Sequence, residues 1–123
     1  FYTEHVLSPG DSLRIDTTIS SDNSLDEWML GIQINNVHGQ SVYGVGSDLV
    51  GTVLPPVNGE VTVSTYIEHA MFGSGKYFID ASVLAMDGVH LADVTQAANF
   101  NVKTPRRARG SLFAEARMTT DQR

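Results

Sequence analysis

The stretch EWMLGIQIN, residues 27–35, alternates large apolar side chains with small or polar ones. One face of the extended chain would carry Trp28, Leu30, Ile32 and Ile34. The other face would carry Met29, Gly31, Gln33 and Asn35. A period of two is typical of a strand that has one face in a core and the other in water. We therefore predict a half-buried β-strand at 27–35.

Similar short segments lie on both sides of this strand, separated by turn residues roughly every ten positions, as in a sandwich or barrel. The predicted strands span residues 1–7, 12–20, 27–35, 41–45, 60–68, 76–86, 89–93 and 98–103. Polar or irregular connections are predicted at 21–26 and 46–58, and Asp87-Gly88 is typical of a tight hairpin. About eight strands, each with one apolar face, predict an all-β fold: a two-layer antiparallel sandwich.

A chain of 123 residues has room for one domain with one core. We assign the sandwich to 1–105 and expect 106–123 to be a basic linker followed by a terminal segment. Within 111–118, a strand would align Leu112, Ala114, Ala116 and Met118, whereas one helical turn would group Leu112, Phe113 and Ala116. We favour the strand, which could cover a sheet edge of a second copy in a homodimer.

Charge is segregated along the sequence. The net charge is −6, yet five of the eight Lys and Arg residues follow Pro105: Arg106, Arg107, Arg109, Arg117 and Arg123. The predicted sandwich is therefore strongly acidic and would repel a phosphate backbone, which argues against nucleic acid as a partner. The sequence has no cysteine, so disulfides and thiolate metal sites are excluded. No apolar run approaches the roughly 20 residues of a membrane-spanning helix.

Motifs for catalysis are weak. The run from Gly73 to Lys76 looks like the end of a phosphate-binding loop, but the position after the lysine is Tyr77 and a strand follows it. The four histidines are scattered over separate elements, without metal-ligand spacing: His5, His38, His69 and His90. No nucleophile elbow and no acid and base pair of carboxylates is present. We therefore predict no enzymatic activity, no cofactor and no metal.

The more informative pattern is the face that three predicted strands turn to solvent. It would present Gln33, Asn35, Asp80, Ser82, Asn99 and Asn101. Amides, a hydroxyl and a carboxylate can satisfy the hydroxyl groups of a sugar, and an aromatic ring can cover its apolar face. Candidate rings are Tyr43, Tyr66 and Phe78. The alternative is that this face is polar because exposed sheet faces usually are.

The order of short motifs is similar to that of a known family. A Gly-Asp turn (Gly10-Asp11) opens a strand, and further on stand Val42-Tyr43-Gly44, Ser74-Gly75-Lys76-Tyr77 and Asn99-Phe100-Asn101-Val102. A strand led by Gly110 would close the chain. In this order and spacing the sequence resembles the C-terminal domain of Wzt, the ATPase subunit of exporters of O-antigen polysaccharide.

The resemblance implies an immunoglobulin-like β-sandwich that binds the modified non-reducing end of an O-antigen before export and carries out no chemistry. It also implies a homodimer formed by exchange of a terminal strand, an ATPase domain upstream, and a membrane subunit of the transporter as partner. The expected location is the cytoplasm, at the inner face of the inner membrane. The rival interpretation is a structural or protein-protein interaction domain of the same fold, because a fold does not determine a function.

Overall fold

The structure is a computed structural model that describes residues 5–105 and 109–120. The described residues form seven strands. They are β1 Val6–Leu7, β2 Leu13–Leu25, β3 Met29–Asn35, β4 Ser41–Gly46, β5 Val57–Ile67, β6 Gly75–Leu84 and β7 His90–Val102. We predicted about eight strands from the sequence. The structure has one fewer because the strands predicted at 89–93 and 98–103 form a single strand, β7.

The strands form two sheets that enclose one core. A five-stranded sheet has the order β1-β7-β6-β3-β4, and a two-stranded sheet pairs β2 with β5. All pairs are antiparallel except β1 with β7. The fold is therefore the predicted all-β sandwich.

The predicted alternation is confirmed in the core. Side chains that are nearly or fully buried come from both sheets: Ile19, Trp28, Leu30, Ile32, Ile34, Val57, Ile67, Tyr77, Ile79, Phe100 and Val102. The indole of Trp28 donates to the carbonyl oxygen of Pro55 at 2.9 Å, so its one polar atom is satisfied. Burial raises the pKa of the Tyr77 phenol, which donates to the carbonyl oxygen of Gly73. The core thus fixes which face of the sheet points outward.

Two predicted connections are in fact strand. The polar loop expected at 21–26 belongs to β2 as far as Leu25, which pairs with Val57 after an irregularity that begins at Ser21. Polar residues can occupy this part of β2 because its outward face is in water. The strands expected at 89–93 and 98–103 join into β7, which crosses their polar connection with a break in register between Val94 and Ala98.

The terminal strand expected at 111–118 does not form in a single copy. Leu112 makes one isolated bridge to Phe72, and the rest of 113–120 has no regular structure. Phe113 is buried, whereas Leu112 and Met118 of the predicted apolar face are exposed. The predicted strand would turn Leu112, Ala114 and Ala116 toward the domain, but the two alanines can bury little apolar surface. The larger side chain of Phe113 is buried in their place.

Part of the sequence interpretation falls outside the described residues. These are residues 1–4 of the predicted first strand, and residues 106–108 and 121–123 of the predicted basic linker and terminal segment. In the portion of the chain that the structure describes, we find no helix of the length and apolarity needed to cross a membrane.

Candidate functional site

Three adjacent strands build a polar surface, which we call the outer face. Directly opposed residues of antiparallel strands point to the same side of a sheet. Gln33 of β3 lies opposite Asp80 of β6, and Phe78 of β6 lies between Asn35 and Asn99 of its two neighbours. Two more predicted residues continue the face: Ser82 opposite Gly31, and Asn101 opposite Lys76. Seven of the nine predicted site residues therefore share one surface.

A chain of hydrogen bonds crosses the middle of the outer face. The amide of Gln33 donates to Asn35 Oδ1 at 2.9 Å, and the amide of Asn35 donates to Asp80 Oδ2 at 2.8 Å. The other carboxylate oxygen of Asp80 accepts from the backbone N–H of Gln96 at 2.8 Å. Gln96 has a φ of 50°, and it lies in the break in register of β7. Asp80 therefore holds this irregular backbone in place as well as facing solvent.

A second polar cluster lies further along the same face. Asp93 Oδ1 accepts from the hydroxyl of Ser82 at 2.6 Å and lies 2.7 Å from His90 Nδ1. The Ser82 hydroxyl and then His90 hold the pKa of the Asp93 carboxyl below its ordinary value. The Ser82 hydroxyl donates to the carboxylate and not to the histidine, so the direct serine–histidine hydrogen bond of a serine nucleophile and its histidine base does not form here.

Sequence reasoning missed the second cluster for a geometric reason. His90 and Asp93 are three positions apart and would fall on opposite faces of a regular strand. The register shifts between the pairs Val83 with Ala92 and Leu84 with His90, so one extra residue is inserted. Such a bulge brings both side chains to the same face. A hairpin signal at Asp87-Gly88 was visible in the sequence, but the bulge was not.

Phe78 supplies the apolar surface of the outer face. Its ring is half-buried, and the ammonium of Lys76 lies 5.6 Å from the ring centroid. One ring among amides and a carboxylate is the composition expected where a ligand has both hydroxyl groups and an apolar side. The structure thus brings Phe78 together with the predicted polar residues.

The other two predicted rings lie elsewhere. Tyr43 of β4 is opposite Ile34, so its side chain is on the core side of the sheet. Tyr66 of β5 is opposite Arg14 on the outward side of the two-stranded sheet, and the guanidinium lies 5.8 Å from its ring centroid. Both tyrosines line a groove of about 740 Å³ beside the free edge of β4. Neither reaches the outer face, so neither can stack on a ligand bound there.

A shallow depression opens on the outer face beside the second cluster. It has a volume of about 290 Å³, and its lining includes Gln33, Gly44, Leu49, Ser82 and His90. Gly44 lies opposite Gln33, and a Cβ placed on it would meet just one atom within 4 Å, the carbonyl oxygen of Ile32 at 4.0 Å. The sequence signal was the Gly44-Val45-Gly46 run, since a glycine in a strand often marks a close approach.

Nothing in the described ranges 5–105 and 109–120 groups three or more metal-ligating side chains. The lysine of the phosphate-loop look-alike, Lys76, lies inside strand β6. Gly73, which begins that look-alike, packs against the carbonyl group of Gly110.

Comparison with known proteins was made on sequence and on fold. No curated protein matches the sequence. A crystal structure of the C-terminal domain of Wzt is similar in fold, with a TM-score of 0.78 over 94% of this chain and 73% of that one. The two share 16% sequence identity, which supports the fold alone. The family model for the Wzt C-terminal domain matches residues 3–114, nearly the whole of this chain, which therefore belongs to that family.

Proposed function

We propose that this chain is a carbohydrate-binding module without catalytic activity, which recognises the non-reducing terminus of an O-antigen polysaccharide for export by an ABC transporter. The observation that supports it best is the outer face, where Phe78 lies among the amides of Asn35 and Asn99 and beside the Asp80 carboxylate. Sugars offer both hydroxyl groups and apolar C–H faces, and this surface offers partners for both.

The hydrogen bonds within the outer face suit a ligand of this kind. Asp80 and Asn35 are fixed by their mutual bond, so they lose little conformational freedom on binding. The Asn99 amide makes no hydrogen bond with any side chain in the described part of the structure, and it lies next to the Phe78 ring. A rigid centre with the Asn99 amide at its side is a surface on which a sugar can exchange hydrogen bonds with displaced water.

The biological setting follows from the family. We propose that an ATPase domain precedes this domain in the full protein, that a membrane subunit of the transporter is a further partner, and that the domain works in the cytoplasm at the inner membrane. We further propose that the chain forms a homodimer in which residues after Phe113 cross to a second copy. Residues 114–120 are all exposed, and Ser111 and Leu112, shortly before them, line the groove next to β4.

A protein-protein interaction domain is the second candidate. The groove next to β4 favours it, because its lining combines apolar and aromatic side chains with polar ones, and β4 has a single neighbouring strand among the described residues. Such an edge offers backbone groups to a strand of another chain. The proposed sugar site on the outer face and the groove next to β4 are different surfaces, so a ligand titration that locates the bound surface can separate the two candidates.

The test uses a substitution that fills the outer face without disturbing the core. Gly44→Leu would project over Gln33 into open space, and it should leave the melting temperature near that of the unchanged chain. The matched control is Ser20→Leu, which lies on the exposed face of the other sheet. Binding is measured by amide NMR shifts during titration with O-polysaccharide released from the lipopolysaccharide of the source organism.

We expect shifts confined to the outer face, weakened binding for Gly44→Leu and unchanged binding for Ser20→Leu. Shifts around the groove next to β4 would move the site away from the outer face. Absence of binding to any O-polysaccharide would favour the interaction domain. Turnover of the polysaccharide during the titration would contradict the lack of catalysis.

A further inference from the structure

His90 lines the depression on the outer face, and its two ring nitrogens differ in their hydrogen bonding. Nδ1 lies 2.7 Å from Asp93 Oδ1. Nε2 has no hydrogen-bond partner among the residues that the structure describes. The side chain is 57% exposed and lines the same depression as Gln33 and Ser82. One nitrogen is therefore held, and the other is open to a ligand.

The neighbours of His90 determine which nitrogen carries the hydrogen. The hydroxyl of Ser82 already donates to Asp93 at 2.6 Å, which favours the charged carboxylate and lowers its pKa. A carboxylate can accept from His90 but cannot donate to it. Nδ1 must then be the protonated nitrogen of the neutral ring, and Nε2 is left as a hydrogen-bond acceptor.

We propose that His90 is a ligand-binding residue whose Nε2 accepts a hydrogen bond from a sugar hydroxyl seated in the depression, with Asp93 as the positioning residue that fixes the tautomer. This inference rests on the proposed carbohydrate-binding function and assigns one end of its site. An acceptor facing the ligand selects a hydroxyl, which is a donor. The adjacent Asp93 carboxylate disfavours a negatively charged sugar at this position, so the class recognised here is a neutral sugar with a free hydroxyl.

The first measurement is made on the chain without ligand. Nitrogen NMR of the imidazoles distinguishes the two neutral tautomers, and we expect the neutral His90 ring to carry its proton on Nδ1. Asp93→Asn should shift the population toward the Nε2-protonated form, because an amide can either accept or donate. His38, exposed in the turn after β3, is the internal control and should not respond to Asp93→Asn. A His90 ring protonated mainly on Nε2 in the unchanged chain would overturn the inference.

The second measurement is a titration with O-polysaccharide released from the lipopolysaccharide of the source organism. The Nε2 resonance of His90 should shift on binding, and His90→Ala should weaken binding about threefold to tenfold, the range for one lost hydrogen bond. His38→Ala should bind as the unchanged chain does. If the unchanged chain binds and His90→Ala binds equally well, this inference fails and the proposed function stands. If the unchanged chain does not bind, both fail.

Discussion

Ile32 lies at the centre of the interior and is 3% exposed. Replacing Ile32 with Ala leaves a cavity between the two sheets, and we expect the free energy of unfolding to fall by about 2 to 5 kcal/mol. Urea denaturation followed by tryptophan fluorescence measures the change, since Trp28 is in the same core. Val53→Ala is the control at an exposed position and should stay within about 0.5 kcal/mol. Equal effects of the two changes would contradict the core assignment.

Asp80 combines a place on the outer face with a structural task. It accepts from the amide of Asn35 and from the backbone of Gln96, and it is half-buried. We expect Asp80→Ala to lower the free energy of unfolding by about 1 to 3 kcal/mol, because both donors lose their partner. Asn99→Ala should change it by no more than about 0.5 kcal/mol. Thermal unfolding of both variants decides this, and equal stabilities would show that Asp80 does not hold the backbone of β7.

The lowered pKa values of two exposed aspartates predict how the stability of the fold depends on pH. Hydrogen bonds from Ser64 and Arg14 lower the pKa of Asp16, and those from Ser82 and His90 lower the pKa of Asp93. Below the ordinary aspartate pKa of 3.8, the unfolded chain binds protons more readily than the folded one. The two aspartates therefore stabilise the folded chain above that pH. This contribution is lost as the pH falls toward their lower pKa values in the folded state.

We expect the melting temperature to drop between about pH 5 and about pH 2, and to drop less steeply for Asp93→Asn, which cannot ionise there. Calorimetry across this range provides the measurement. If the melting temperature of Asp93→Asn falls with pH as steeply as that of the unchanged chain, Asp93 contributes nothing to the loss of stability in acid.

Backbone hydrogen bonds join residues 111–113 of the segment after β7 to Met71 and Gly73. The N–H of Phe113 donates to the Met71 carbonyl at 2.7 Å, and the N–H of Gly73 donates to the Ser111 carbonyl at 3.0 Å. A Cβ on Gly73 would collide with the carbonyl group of Gly110. Gly73→Ala must therefore displace this segment.

We expect Gly73→Ala to remove the protection of the Phe113 amide in hydrogen exchange, while the strands keep theirs. Gly44→Ala is the matched control, because the added methyl group has room there. Loss of protection throughout the sandwich would show that the attachment belongs to the global fold. Retained protection at Phe113 would contradict the close contact.

We propose the groove next to β4 as the surface through which the domain self-associates. Residues 114–120 are exposed, and the groove of about 740 Å³ next to β4 lies beside Leu112, where this segment begins. Exchange of the segment with a second copy would cover the free edge of β4 and give a symmetric contact. Because Phe113 packs on its own copy, the crossing point is expected directly after it.

Light scattering on two forms of the chain tests the homodimer. A chain of residues 1–123 should be dimeric, and a chain that ends at Phe113 should be monomeric with a similar melting temperature. A shorter form that ends at Lys103 is the control for lost packing, since it lacks Phe113 and should melt earlier. A dimer that persists without residues 114–123 would place the interface elsewhere.

The sequence by itself determined the sandwich and the orientation of its faces. Alternation in residues 27–35 depends on local stereochemistry, so it correctly predicted that Ile32 is buried and that Gln33 is exposed. When such strands pair in one sheet, their outward residues share one surface, and this does not depend on the conformation of the loops between them. For this reason the grouping of Gln33, Asp80 and Asn99 on one surface could be predicted.

Tertiary structure alone decided the features that depend on register and on long-range contact. A bulge in β7 brings His90 to the side of Asp93, and its position depends on pairing with β6. Tyr43 lies on the core side because β4 pairs with β3 so that it faces Ile34. Phe113 is buried, and its N–H donates to the Met71 carbonyl, although the local pattern favoured burial of Leu112. A one-residue shift reverses every side chain of a strand, and no local pattern specifies that shift.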